Sequence, residues 1–450
     1  MATDMSRHFT LPALVRVTLP SIGMMLFKSF YVMTDGFFVA NWCSKTALAA
    51  VNFAFPIPMI LATVGFMFGT GGSAIVSRTR GEGDERLAQE RFSLIVYAAI
   101  ALSVALAVVG LVVQRPILLA MGATGELLDE CVTYGTILIA GVPFDACQLL
   151  FQNLLATAGK PEMGLRNTVL AGLTNAILDA VLIAGLGWGV TGAAIGTVGG
   201  EAVATIIPLV YFARPNTSSM RFVRTPLDLG VLVETTFNGS SEFVSNVSSS
   251  IVATAYNVQL LRILGESGVA AYSVIMYVTF AFIAIFIGFS IGCAPLMAFQ
   301  YGAGNQREMR SLFRKSLAFI AVTSVAMFVA TRVFARPLSA TFVRYDAELL
   351  ELTTHAFLVY TLSFLILGFN IYGSSLFTSL GNGVISAAIS FMRALVFETG
   401  SVMLLPTFLG PDGIWLAISV AEIASLILTV FVMVRLEPRS GYARGEVVGG

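Results

Sequence analysis

Stretches of roughly 20 apolar residues follow one another along almost the entire chain, interrupted by clusters of glycine, proline and charge. Each is long enough to cross a hydrocarbon core of ~30 Å as a helix, and little sequence remains for a soluble domain. The 450 residues are 56% hydrophobic and only 12% charged, against the ~25% charged content of ordinary soluble domains. An all-α polytopic membrane protein is therefore expected. Zero net charge and the lack of a basic tail argue against a nucleic-acid partner. The opening MATDMSRHFTLPALVRV lacks the short apolar region and small-residue site of a cleavable signal. Cys43, Cys131, Cys147 and Cys293 have no metal-ligand spacing and suggest no disulfide framework, and His8 and His355 are too far apart for a metal centre.

Hydrophobic windows predict spans near 14–40, 47–76, 92–113, 131–156, 166–187 and 190–212, then 230–260, 268–298, 313–334, 352–379, 386–408 and 412–435. These twelve spans divide the chain into a first lobe (1–212), a linker (213–230), a second lobe (231–435) and a tail (436–450). With both termini placed in the cytoplasm, nineteen basic residues, Arg393 among them, fall in inner segments and six in outer ones, leaving Lys28 within a span. That asymmetry predicts both ends inside.

The two halves resemble each other at an offset of 221 or 222 residues. Arg115-Pro116 pairs with Arg336-Pro337, GEGD at 81–84 with GAGN at 302–305, and Gly159 with Gly381. Gly192 likewise pairs with Gly413, and Glu201 with Glu422. Six spans per copy is an even number, so both copies enter from the same side, as parallel repeats with a cavity expected between them.

Against this apolar background a few polar residues demand explanation. Asn175 and Asp179 are four residues apart and share a helix face. Asp179 lies eight residues before Gly187 and Thr197 eight after Gly189, each ~12 Å below the outer turn at the helical rise. Asp35 lies seven residues before Trp42, at a depth of roughly 10 Å. The four residues thus share one depth, although sequence does not say whether they face one another. Two carboxylates at one apolar depth cannot both stay charged cheaply, so a proton or a sodium ion is the expected occupant, with Asn and Thr oxygens available to a metal cation. The competing reading is that each acid only fixes helix packing. Pro20, fifteen residues before Asp35, marks either a hinge or a fixed kink. Glu242, in the polar stretch SSEFVSNVSSS, and Asn370 are further candidates for a substrate cavity, and Glu398, Asp145, Lys28 and Arg393 also fall within or near spans. At the repeat offset Asp35 falls on Tyr256 or Asn257 and Asp179 on Gly400 or Ser401, so the acid pair belongs to the first half alone.

Several stretches resemble the multidrug and toxic compound extrusion (MATE) transporters, in their MepA-like branch, over about residues 10–435. They are YVMTDGFFVANWCSKTALAAVNFAFPI, MGATGELL, FQNLLATAGKP, TNAILDAVLI and VTGAAIGT in the first half, and FQYGAGNQREMRSLF, GFNIYGSSLFTSLGN and GPDGIW in the second. The resemblance implies twelve helices in two pseudo-symmetric six-helix lobes, the MATE/MOP-type fold, working by alternating access without a cofactor. It implies export of amphipathic, often cationic small molecules driven by H⁺ or Na⁺ entry, from a multi-pass protein of the cytoplasmic membrane acting as a monomer. The family's first-lobe cation site maps onto Asp35, Asn175, Asp179 and Thr197, and its kinking proline onto Pro20. Another branch uses a second-lobe glutamate and aspartate. Glu242 matches the former, but the GFNIYG region offers Asn370 in place of the acid.

Other functions have less support. A lipid-linked precursor flippase of the same superfamily needs cavity cations for pyrophosphate, and only Lys28 and Arg393 are available. RTRGEGDERL only faintly resembles the inner-loop motif of major-facilitator proteins. No nucleophile–base pair, metal motif or phosphate loop suggests an enzyme, and no repeated filter loop suggests a channel.

Overall fold

The computed structural model describes residues 4–344 and 346–440. The N-lobe comprises α1 (Leu11–Trp42), α2 (Lys45–Ala54), α3 (Pro56–Gly81), α4 (Glu85–Ala120), α5 (Gly125–Thr157), α6 (Pro161–Asp179) and α7 (Gly189–Ala213). The span expected at 47–76 is interrupted where Pro56, which has no N–H to donate, starts a new helix after α2. The linker packs back on this lobe: Phe222 N–H donates to the Phe212 carbonyl at 3.0 Å, and the Phe222 ring stacks on Phe92 of α4, 5.7 Å between centroids.

The C-lobe comprises α8 (Leu229–Gly302), α9 (Gln306–Val343), α10 (Ala347–Tyr360), α11 (Phe364–Ser379), α12 (Gly383–Phe391), α13 (Thr399–Leu409) and α14 (Pro411–Ser440). Among the described residues, eleven helical stretches are long and apolar enough to cross a membrane. One of them, α8, holds two of the expected spans, 230–260 and 268–298, and the chain turns between them at Gly265 with φ 64°. Twelve spans result. The expected tail begins as helix, because α14 runs on to Ser440, and residues 441–450 of that tail lie outside the described residues.

The internal repeat is visible in the backbone. Gly83 and Gly304 both take positive φ, each followed by a side chain, Asp84 or Asn305, that caps the next helix. Gly159 and Gly381 are a second such pair. The lobes meet through α3 and α1 against α8, at the end that carries the basic loops. There a Cβ on Gly71 would stand 2.2 Å from the Thr235 carbonyl oxygen, and one on Gly239 would stand 1.9 Å from that of Met67. Gly81 and Gly302 make the same kind of approach to Phe299 and Arg78, at 2.0 and 2.1 Å. Glycines let helix backbones touch where lipid offers no hydrophobic drive for association. An ion pair, Arg78 Nη2 to Glu234 Oε1 at 2.8 Å, bridges the lobes at the same end. The first half of α1 takes part in this junction too: Leu14 and Ile22 belong to the hydrophobic core of the C-lobe.

Candidate functional site

The second half of α1 crosses to the N-lobe and brings Asp35 against α6 and α7. The Asp35 carboxylate faces those of Asp179 and the Thr197 hydroxyl, while Asn175 flanks Asp179 from one turn away. Asn175 is 1% exposed and Asp179 0%. Both Asp179 carboxylate oxygens, Oδ1 of Asp35 and both polar side-chain atoms of Asn175 are buried with no hydrogen-bond partner. Four residues expected at one depth are therefore also neighbours. Two carboxylates facing each other, with three of their four oxygens buried and unpartnered, are costly unless something positive lies between them, and a proton or a monovalent cation meets that need. Among the described residues no group of three or more His, Cys, Asp or Glu is placed to hold a metal ion.

Two features that sequence reading passed over shape this site. The first is a glycine stripe on α7: Gly192, Gly196 and Gly200 recur every fourth residue, Gly196 and Gly200 pressing against α6 and Gly192 against the turn that follows it. A Cβ on Gly196 would stand 2.1 Å from Oδ1 of Asp179, and one on Gly200 would stand 2.8 Å from the Ala171 carbonyl oxygen. The spacing in GAAIGTVGG is the signal that could have found it. The second is a π-helical turn, Ala180–Gly185, that begins directly after Asp179. Such turns are rare and gather at functional sites, because they rotate the following residues out of α-helical register. Gly196→Ala is expected to leave the fold intact, since the clashing atom ends a side chain, but to displace the Asp179 carboxylate. At least about a tenfold loss of transport is expected, comparable to a 1.4 kcal/mol change in binding. Transport in proteoliposomes at equal reconstituted protein checks this, and unchanged transport would show that the contact is unimportant.

Towards the end opposite the basic loops, a cavity of about 470 Å³ opens between Trp42, Glu126, Asp129, Glu130, Thr133 and Trp188. Trp42 and the turn at Gly187 lie seven and eight residues beyond Asp35 and Asp179, which puts the acid pair roughly 10–12 Å below this opening.

The remaining polar residues fall into separate places. Lys28, half-buried on α1, faces Asp145 of α5 and Glu201 of α7. Glu242 is half-buried on α8, and among the described residues its carboxylate has no ion pair. Asn370, expected beside it in the cavity, is instead 1% exposed inside the C-lobe. Its amide donates to both the carbonyl oxygen and Oε2 of Glu422, at 2.9 and 2.6 Å. Arg393 completes that cluster, its Nε and Nη2 reaching Oε1 of Glu422 at 2.9 and 2.6 Å. Counted among the inner-segment cations from sequence, Arg393 in fact sits in the π-helical stretch Met392–Glu398 between α12 and α13, held inside the lobe by its carboxylate partner. Pro20 lies inside an uninterrupted α1, whose residues all keep helical geometry.

The architecture defines a class, a two-lobed, twelve-span helical membrane protein, and its first lobe holds the acid pair. The MatE family model matches residues 20–181 and 243–400, and the chain belongs to the MATE transporters. Among curated relatives, the multidrug export protein MepA of Staphylococcus haemolyticus is 25% identical over 435 residues, covering 96% of this chain and 93% of its own. The fold is also that of a multidrug resistance MATE transporter solved in an outward-facing conformation, with TM-score 0.90, 21% identity and coverage of 95% and 96% of the two chains. A transporter of the wider MOP superfamily from Pyrococcus furiosus is similar as well, at TM-score 0.88, 21% identity and 96% coverage of both; its reversed pocket polarity has been taken to suggest a different function for that protein.

Proposed function

We propose that this protein is a secondary active antiporter that exports amphipathic, cationic small molecules in exchange for H⁺ or Na⁺. The observation that carries the reading is the pair Asp35 and Asp179, facing each other in an apolar lobe with Asn175 and Thr197 beside them and no protein donor for the Asp179 oxygens. A site that lacks one positive charge is suited to accept and release a cation. The kinship with MepA export proteins supports drug-like substrates, and the acidic residues around Trp42 and Trp188 suit cationic ones.

In the proposed cycle the basic end faces the cytoplasm, with both termini there, and the protein works as a monomer in the cell membrane. Closure of the lobes at the basic end then corresponds to an outward-facing state. A cation entering from outside reaches Asp35 and Asp179, neutralises them, and shifts the lobes towards the inward-facing state after substrate has left. The ion drives the cycle only because the two states bind it unequally. The flippase reading loses ground on one observation: Arg393, one of two cations available for a pyrophosphate, is bound to Glu422.

Transport by reconstituted protein under separately imposed pH and sodium gradients tests the proposal, with a cationic dye and an anionic lipid precursor as alternative substrates. Gradient-dependent dye movement is expected, and the gradient that drives it names the ion. Movement of the lipid precursor alone, or dye flux indifferent to both gradients, would overturn the reading.

A further inference from the structure

The segment before α1 is built into both lobes at the basic end. Met5 is 2% exposed and Phe9 0%, and both side chains belong to the C-lobe core with Leu296, Met297, Met309 and Leu312. Backbone groups of the segment are held by C-lobe side chains: Gln300 Nε2 donates to the Met5 carbonyl at 2.7 Å, and Phe9 N–H donates to Oε1 of Glu308 at 2.9 Å. Oε2 of the same carboxylate is bound by His8 Nδ1 at 2.5 Å, and Lys315 Nζ donates to the Phe9 carbonyl oxygen. Glu308 is only 5% exposed, and these two donors give each of its carboxylate oxygens one hydrogen-bond partner. On the other side stands Arg80 of the N-lobe. Its Nη1 reaches Met5 Sδ at 3.5 Å and the Thr157 carbonyl oxygen at 3.1 Å, its Nε lies 3.7 Å from Glu85, and its guanidinium lies over the Phe299 ring of the C-lobe at 5.8 Å. Within the segment, Asp4 Oδ1 accepts from Ser6 N–H at 2.9 Å, and Arg7 lies over the Phe9 ring at 4.9 Å.

From this geometry we infer that residues 4–9 are a latch that holds the lobes together at the basic end. Six residues wedged between Arg80 on one lobe and Gln300, Glu308 and Lys315 on the other cannot keep both sets of contacts when the lobes part. Parting would strip Met5 from Arg80, or draw Phe9 out of an apolar core and leave a buried carboxylate without donors, and either raises the free energy of the open state. The latch is continuous with α1, which also carries Asp35, so a rearrangement of α1 at the cation site acts directly on the segment that closes the far end. This consequence for the cycle rests on the alternating-access reading above. The latch itself does not, because its measure is how far the two ends stand apart.

Distances between spin labels at Arg86→Cys and Arg307→Cys, in a Cys43→Ser background, report that separation in the full-length protein. Both label sites are exposed and lie outside the latch contacts. Glu308→Ala, and separately a chain that starts at Thr10 after its initiator Met, are each expected to raise the ratio of long to short distances about tenfold or more, the low end for loss of hydrogen bonds to a charged group. Glu308→Gln, which keeps one acceptor, is expected to fall between these and the parent protein. Unchanged distance distributions in a folded Glu308→Ala or shortened protein would overturn the latch, whatever the transport assays report. If one variant does not fold, the other, or Lys315→Met, decides by the same criterion.

Discussion

Asp179→Asn is expected to lose ion-driven export by at least about 100-fold, because a driving ion must bind one state far more tightly than the other to shift the cycle. Asparagine fills the same space but cannot gain or lose the charge on which the cation acts. Asp179 is 0% exposed with both oxygens buried and unpartnered, and asparagine keeps its size and packing, so the fold is expected to survive the change. The variant should therefore reach the membrane and elute as folded protein, and it should still bind substrate. Asp35→Asn is expected to behave alike, and the double variant no worse than either, as residues sharing one bound ion are not additive. Proteoliposome export under an imposed gradient, read beside substrate binding without one, separates coupling from folding. Normal export by both single variants would leave the acid pair as packing residues.

Gly239→Val should act on the opposite end of the protein. Its Cβ would stand 1.9 Å from the carbonyl oxygen of Met67, a backbone atom that cannot swing aside. Gly71 makes the reciprocal approach to Thr235, so α3 and α8 would separate at either substitution. Overpacking of this kind costs about 1–3 kcal/mol, which corresponds to roughly 5- to 150-fold in the balance between lobes closed and lobes open at the basic end. Backbone hydrogen exchange across 67–81 and 231–240 should rise accordingly. Gly400→Ala, where a Cβ meets nothing within 4 Å, is the matched control. Protection unchanged in Gly239→Val would mean that the junction tolerates separation, and that glycine there is incidental.

Much of this was legible in one dimension. Helix rise is nearly constant, so counting residues from Trp42, Gly187 and Gly189 was enough to put Asp35, Asp179 and Thr197 at a common depth. Apolar run length defined the spans because lipid leaves few alternatives to a helix, and the repeat at 221–222 residues related the halves. Lateral placement was another matter. Rotation of each helix and the identity of its neighbours depend on packing, so Asn370 was expected at a cavity and lies against Glu422, and Arg393, counted with the inner segments and also placed within or near a span, lies 2.6 Å from the same carboxylate. In both cases a polar group in an apolar interior went to the partner that satisfied it, 52 or 29 residues away in sequence.

Sequence by itself determined that this chain is a twelve-span, two-lobed membrane protein with an acid pair in the first lobe only, since length, hydropathy and periodicity act along the chain. Tertiary structure alone decided that Asp35 and Asp179 face each other, that Gly196 leaves room for the Asp179 carboxylate, and that Met5 and Phe9 of the N-terminal segment sit in the core of the C-lobe. Those outcomes depend on which surfaces close against one another, and close packing settles that only when all the helices are in place.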